Sequence, residues 1–151
     1  MNYIFVPDAV AFGEGATKDA VLAELARCFA VAYRLDRGAI AAALAERERV
    51  GSTGFGRGVA MPHARVTGLK RPVAAFLKLS SPIDFQAADT MPVELVFGLL
   101  SPPSCGAAHL HALAAISRSL RNEDWRKSLV QAPDVASLRA LLIEATSRDA
   151  A

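Results

Sequence analysis

The sequence predicts an α/β fold, a single domain with a mixed β-sheet flanked by helices. Three observations carry this. Helical periodicities open and close the chain, and two apolar runs near its middle read as strands. The connections between them are long enough for parallel pairing, while the two runs themselves can be antiparallel neighbours. With 151 residues, 52% apolar and 21% charged, the chain suits one globular domain and is too apolar to be disordered. That domain is expected over residues 1–151, with the tail 147–151 frayed.

In chain order, Thr17 is placed to cap a first helix running to about Tyr33. Val21, Leu22, Leu25, Phe29 and Ala32 make its apolar stripe, with Lys18, Glu24 and Arg27 off it. Asp36 caps a second helix to about Glu48, in which Ile40 and Leu44 face the core. It ends in the charge run Glu46-Arg47-Glu48-Arg49, which read alone is a solvated face. Next come four glycines, Gly51, Gly54, Gly56 and Gly58, read as a loop that leads into Val59-Ala60-Met61 and then Pro62-His63. Val73 to Leu79 and Val93 to Leu100 are the two strands, with a Pro82-Ile83-Asp84-Phe85 turn region between them. Beyond the break at Ser101-Pro102-Pro103-Ser104, helices are expected at Ala107 to Leu120, around Asp124 to Val130, and from Asp134 to about Ala145. Leu138, Leu141, Leu142 and Ala145 stripe the last of these.

A net charge of +2 gives no case for nucleic acid or an anionic membrane as a partner. No run of 18 or more apolar residues occurs, and the first residues lack a basic region followed by an apolar stretch. Cys28 and Cys105 form no metal or redox motif and read as small buried thiols. The expectation is a soluble, cytoplasmic protein without membrane insertion.

Three histidines remain as candidates for chemistry. His63 follows Pro62, at the end of the Val59-Ala60-Met61 run and beside the glycine loop, well placed to meet a partner; a surface histidine without a duty fits the same facts. His109 and His111 lie two apart on a helix, about 200° from one another, so they cannot share one face. His109 continues the stripe of Leu113, Ile116 and Leu120 and looks inward, whereas His111 shares its side with Arg118 and Asn122. A three-histidine metal cage on that helix is therefore disfavoured, and no metal is expected. The Gly54 to Gly58 spacing is not a dinucleotide fingerprint, and neither a phosphate-loop Gly-Lys-Ser/Thr nor a nucleophile elbow is present. What is left is a histidine nucleophile beside a glycine loop.

The stretch from Arg47-Glu48 through Gly51-Ser52-Thr53-Gly54, Gly56, Gly58 and Ala60 to Pro62-His63 resembles a known signature. It is that of the fructose, mannitol and nitrogen-regulatory (type 2) class of IIA proteins in the bacterial phosphoenolpyruvate phosphotransferase system. The resemblance continues through Pro82-Ile83-Asp84-Phe85, Pro92 to Leu100, and Ala108-His109-Leu110-His111-Ala112-Leu113, and its loop looks more like the nitrogen-regulatory and fructose branch. One departure is visible: the class usually has glycine after the histidine, and here Ala64 stands there.

By resemblance, His63 is the phosphorylated nucleophile, attacking through Nε2 with Nδ1 held by a backbone carbonyl. His109 is implied to hydrogen-bond the phosphoryl group and Arg47 to stabilise its charge, while Ser52, Thr53 and Gly54 are expected to bind phosphate through loop amides. Arg57 and Arg65 add positive charge. Phe55, an aromatic ring between two glycines, is expected to anchor a partner protein, the alternative being that it folds back onto the core. No cofactor is implied. The donor would be an HPr or nitrogen-HPr type phosphocarrier. The acceptor would be a cysteine of a IIB protein in sugar transport; a regulatory branch, the favoured one, would instead act on a target protein. A non-catalytic interaction module is the reading from another class.

Overall fold

The computed structural model describes residues 2–150, and side chains as far as residue 148. A 3-10 turn at Pro7–Ala9 leads into β1 (Val10–Gly13), followed by α1 (Lys18–Tyr33) and α2 (Arg37–Val50). Three short strands come next, β2 (Gly54–Gly56), β3 (Val59–Ala60) and β4 (His63–Arg65), then two long ones, β5 (Val73–Ile83) and β6 (Val93–Ser101). The chain closes with α3 (Ala107–Leu120), α4 (Glu123–Gln131) and α5 (Val135–Ala150). The expected helices are all present. Thr17 Oγ1 accepts from Ala20 N at 3.1 Å and Asp36 Oδ1 from Gly38 N at 3.1 Å, so each expected cap satisfies an otherwise orphaned amide. The last helix continues past Ser147 to Ala150.

The sheet is mixed, with strand order β1-β5-β6-β3-β2 and β4 also on β6. β5 and β6 are antiparallel, whereas β1 runs parallel to β5, and β3 and β4 run parallel to β6. Alternation along the central strands divides their side chains between two cores. Ala75, Leu77, Val96 and Leu100 face α1 and α2, packing with Leu25, Phe29, Ile40 and Leu44. Ala74, Phe76, Leu95, Phe97 and Leu99 face α3, α4 and α5, packing with Ile116, Leu120, Trp125, Leu129, Leu138 and Leu142. Strands covered on both faces are apolar throughout, which is why the Val93 run shows no period of two. Gly98 marks the closest approach of α1: a Cβ there would stand 2.8 Å from both Leu25 Cδ2 and Phe29 Cε2.

Four expectations need correction. The strand read as ending at Leu79 runs on to Ile83, beyond a register shift between Lys78 and Ile83, and the turn follows it, with Asp84 Oδ1 accepting from Gln86 N. The glycine loop is a hairpin, β2 pairing antiparallel with β3. Its two-residue turn has Arg57 at φ 60° and Gly58 at φ 83°, the positive values that mirror-image hairpin turns require. The cysteines are half-buried, not buried, and both are free. Finally, β1 was not anticipated, since four residues that pair along one edge of β5 have too little alternation to be read.

Candidate functional site

The site starts from a break in a strand. β3 and β4 lie end to end along β6 in a single register, Val59 opposite Leu95 and His63 opposite Leu99, with Met61 and Pro62 unpaired as strand residues between them. Pro62 has no N–H to give to a ladder. Its carbonyl still accepts from Leu99 N at 3.0 Å, while Met61 N turns away and donates to Thr53 O at 2.9 Å. His63 is therefore the first residue after the interruption, at the start of β4 and not at the end of a strand. Ala64, where glycine was the family expectation, is an ordinary strand residue with no positive φ.

The half-buried His63 ring is held from both sides. Nδ1 lies 2.8 Å from Met61 O, which only an N–H can satisfy, so the proton sits on Nδ1 and the lone pair on Nε2. Arg47 Nε donates to that lone pair at 3.3 Å, and Arg47 Nη1 donates to Gly51 O at 2.8 Å. His109, buried, stands with its ring centroid 5.7 Å from that of His63, the planes inclined by 51°. Its Nδ1 is 2.6 Å from Ser101 Oγ at the end of β6. Arg65 closes the far side, reaching Pro102 O and Gly106 O at the entrance to α3. These residues border one open hollow with Ala43, Glu46 and Val50.

Burial holds the His63 imidazole below its ordinary pKa, and the Arg47 charge acts in the same direction. The Met61 hydrogen bond and the Glu48 charge oppose them. His109 is pushed down to about 4 by burial first, then by the charges of Arg65 and His63. Both rings are thus neutral near pH 7, one offering an unprotonated nitrogen to an open, positively charged hollow. Among the described residues, no three His, Cys, Asp or Glu side chains group as a metal site would need.

The expected site residues divide. His63, His109 and Arg47 converge, and Arg65 joins them. Ser52, Thr53 and Gly54 do not border the hollow, and their donors are spent elsewhere: Thr53 N and Oγ1 on Glu48, Gly54 N on Ser52 Oγ, and Ser52 Oγ on Phe85 O. They build the hairpin that carries Thr53 O. Arg57 is also outside, bordering a second hollow with Glu123, Arg126 and Val130. The Phe55 ring is half-buried and packs on the α3–α5 core. His111 is exposed, as its helix face required. The charge run is not one solvated face: Glu46 and Arg49 pair with each other in solvent, Arg47 reaches the site and Glu48 is buried. No helix among the described residues is long and apolar enough to cross a membrane.

Comparisons with known proteins show the family. The chain belongs to the family "Phosphoenolpyruvate-dependent sugar phosphotransferase system, EIIA 2", whose model matches residues 4–145. It is 38% identical over 131 residues to a nitrogen regulatory protein of Pseudomonas aeruginosa, covering 86% of this chain and 85% of that one. It is 38% identical over 130 residues to a fructose-specific EIIA component of Haloferax volcanii, covering 85% and 84%. The crystal structure of nitrogen regulatory protein IIA-Ntr from Neisseria meningitidis superposes with a TM-score of 0.83 at 31% identity, over 92% of this chain and 96% of the other.

Proposed function

We propose that this EIIA chain is a phosphoryl carrier that takes phosphate on His63 Nε2 from the phosphohistidine of an HPr-type protein. One observation carries the reading: the 2.8 Å contact of Nδ1 with Met61 O leaves the Nε2 lone pair facing the hollow. The attack forms the Nε2–P bond as the P–N bond to the donor imidazole breaks, its electron pair staying on the donor nitrogen. The Nδ1 proton remains in place, donating to Met61 O while the ring gains positive charge. A donor ring protonated on its other nitrogen leaves neutral. No proton crosses between the proteins and no general base is needed.

The remaining task is to position three phosphoryl oxygens and offset their charge. Arg47 Nε, which occupies the nucleophilic lone pair at rest, yields it and turns to an oxygen. With the Ser101 hydroxyl donating to Nδ1 of neutral His109, His109 Nε2–H is free to donate to a second oxygen. Arg65 adds charge. Similarity to the nitrogen regulatory proteins favours a regulatory branch, in which the phosphorylation state decides whether a target protein binds. The equal identity to a fructose-specific component supports a second reading, onward transfer to a IIB cysteine.

Incubation with phosphoenolpyruvate, enzyme I and HPr is expected to add one acid-labile, base-stable phosphate. Uptake by His63→Ala at the wild-type rate would refute the assignment. Capture from cell extract with phosphorylated and unphosphorylated protein, beside a discharge assay with a fructose-type IIB, separates the two branches. Partners that bind only one form mark the regulator; rapid discharge with identical partners marks the relay.

A further inference from the structure

We propose that Glu48 is a positioning residue for His63, setting the proton on Nδ1 through Thr53 and Met61 without touching the reacting atoms. The inference rests on the phosphocarrier reading for its consequence, but its structural content is independent of it.

Glu48 follows Arg47 on the last turn of α2. Consecutive helical residues point about 100° apart, so Arg47 enters the hollow while Glu48 turns inward. The Glu48 side chain is 5% exposed, a burial that a carboxylate tolerates only when fully bonded. It is fully bonded. Lys18 Nζ lies 2.9 Å from Oε1, Thr53 N donates to Oε1 at 3.0 Å, and Thr53 Oγ1–H donates to Oε2 at 2.5 Å. Both oxygens thus hold the same residue of the hairpin, by its backbone and its side chain together.

From Thr53 the order passes directly to the nucleophile. Thr53 O accepts from Met61 N at 2.9 Å, and Met61 O accepts from His63 Nδ1 at 2.8 Å. Met61 lies at the strand break, where the β6 ladder does not fix its peptide. Its side chain is buried in the α3–α5 core, and Thr53 O holds its backbone N–H. Remove the carboxylate and Met61 O loses its fixed direction, and with it the imidazole loses the acceptor that selects Nδ1–H. In water the Nε2–H tautomer of histidine is the favoured one, and it has no lone pair where the attack must start. Lys18 completes the device from α1, also reaching Gln86 Oε1 at 3.0 Å and lying over the Phe85 ring at 5.0 Å. Glu48, at the end of α2, is thereby tied to the start of α1 and to Thr53, and Lys18 ties the 84–86 turn to the same cluster.

Protein labelled with 15N-histidine distinguishes the tautomers by two-bond imidazole 15N–1H correlation, without any phosphate present. The variants are Glu48→Leu, Glu48→Gln, which keeps an acceptor oxygen for Thr53 N, and Thr53→Val, which removes only the hydroxyl bond. Thermal melts fix a temperature at which each is folded. The wild type is expected to show His63 protonated on Nδ1. Glu48→Leu is expected to shift it toward Nε2–H and slow phosphate uptake about 10-fold, the scale lost when the partner that holds a functional histidine ring is removed. Glu48→Gln is expected to restore most of both. If Glu48→Leu does not fold, Thr53→Val decides, with a smaller shift in the same direction. An unchanged tautomer in the folded variants overturns the proposal, as does a shifted tautomer with an unchanged rate. Absence of phosphate uptake by the wild type itself would strike the phosphocarrier reading instead, and the tautomer measurement would still decide the role of Glu48.

Discussion

His109 makes the stability of the protein depend on pH in a direction that can be worked out. Its ordinary pKa of 6.5 applies to the unfolded chain, whereas in the fold burial and the Arg65 charge push it down to about 4. Above 6.5 the ring is neutral in both states and its contribution is complete. As pH falls below 6.5 the unfolded chain gains a proton that the folded one refuses, so stability falls until the folded pKa is reached. The interval is 6.5 less 4, or 2.5 pH units, at about 1.4 kcal/mol each, and the full loss is about 3–4 kcal/mol, of which the 2 units down to about pH 4.5 carry about 3. Against a total of about 5–15 kcal/mol for a typical domain, that is a large share. His109→Gln removes the titrating group. Urea unfolding at about pH 7.5 and about pH 4.5, where carboxylates titrate in both proteins, gives the effect as a difference of differences. The wild type is expected to lose about 3 kcal/mol more than the variant between these conditions. Equal losses would show that the His109 ring takes up its proton as readily folded as unfolded, and would refute the account of its burial.

The two helical histidines should separate in phosphate uptake: His109→Ala is expected to slow it about 10- to 1000-fold, as loss of one transition-state donor does, and His111→Ala, exposed and off the site, to leave it unchanged. Phe55→Ala is expected to lower the melting temperature, because the ring packs on the α3–α5 core. A titration of the folded variant against the carrier should find wild-type affinity, and a weakened one would restore the partner-anchor reading. Gly98→Ala would press a methyl against Leu25 and Phe29 and is expected to cost about 1–3 kcal/mol in urea unfolding, as overpacking does. A variant as stable as wild type would mean that α1 moves away freely.

The legible parts of the fold were those that repeat. α1 and α2 have side-chain caps, α1 and α3 have apolar stripes several turns long, and β6 is apolar but for Glu94 and Ser101, so local pattern and final burial coincide. β1 was hidden because what makes it a strand is the β5 edge beside it, not its own four residues. The hairpin was hidden by its glycines, which announce positive φ but not which residues on either side pair. Within the site, helix periodicity alone placed His109 inward and His111 outward, and the structure agrees.

The glycine-loop residues show where sequence reasoning is weakest. Ser52, Thr53 and Gly54 stand in the glycine loop that leads to His63, and that placement suggested contact with phosphate. In space the strand break at Met61-Pro62 puts a peptide between them and the ring, so what Thr53 supplies is a carbonyl that fixes another carbonyl. The charge run fails for the related reason that composition does not fix direction. Four consecutive charged residues on a helix sweep about 300° of its circumference. At the end of a helix packed on a sheet, no such arc can be wholly solvated. One of the four must face inward, and it is stable there only with donors waiting. Lys18 and Thr53 are those donors. The buried charge at position 48 and the half-buried Arg47 are thus one arrangement, in which the residue that fixes the hairpin sets the angle from which its neighbour reaches His63.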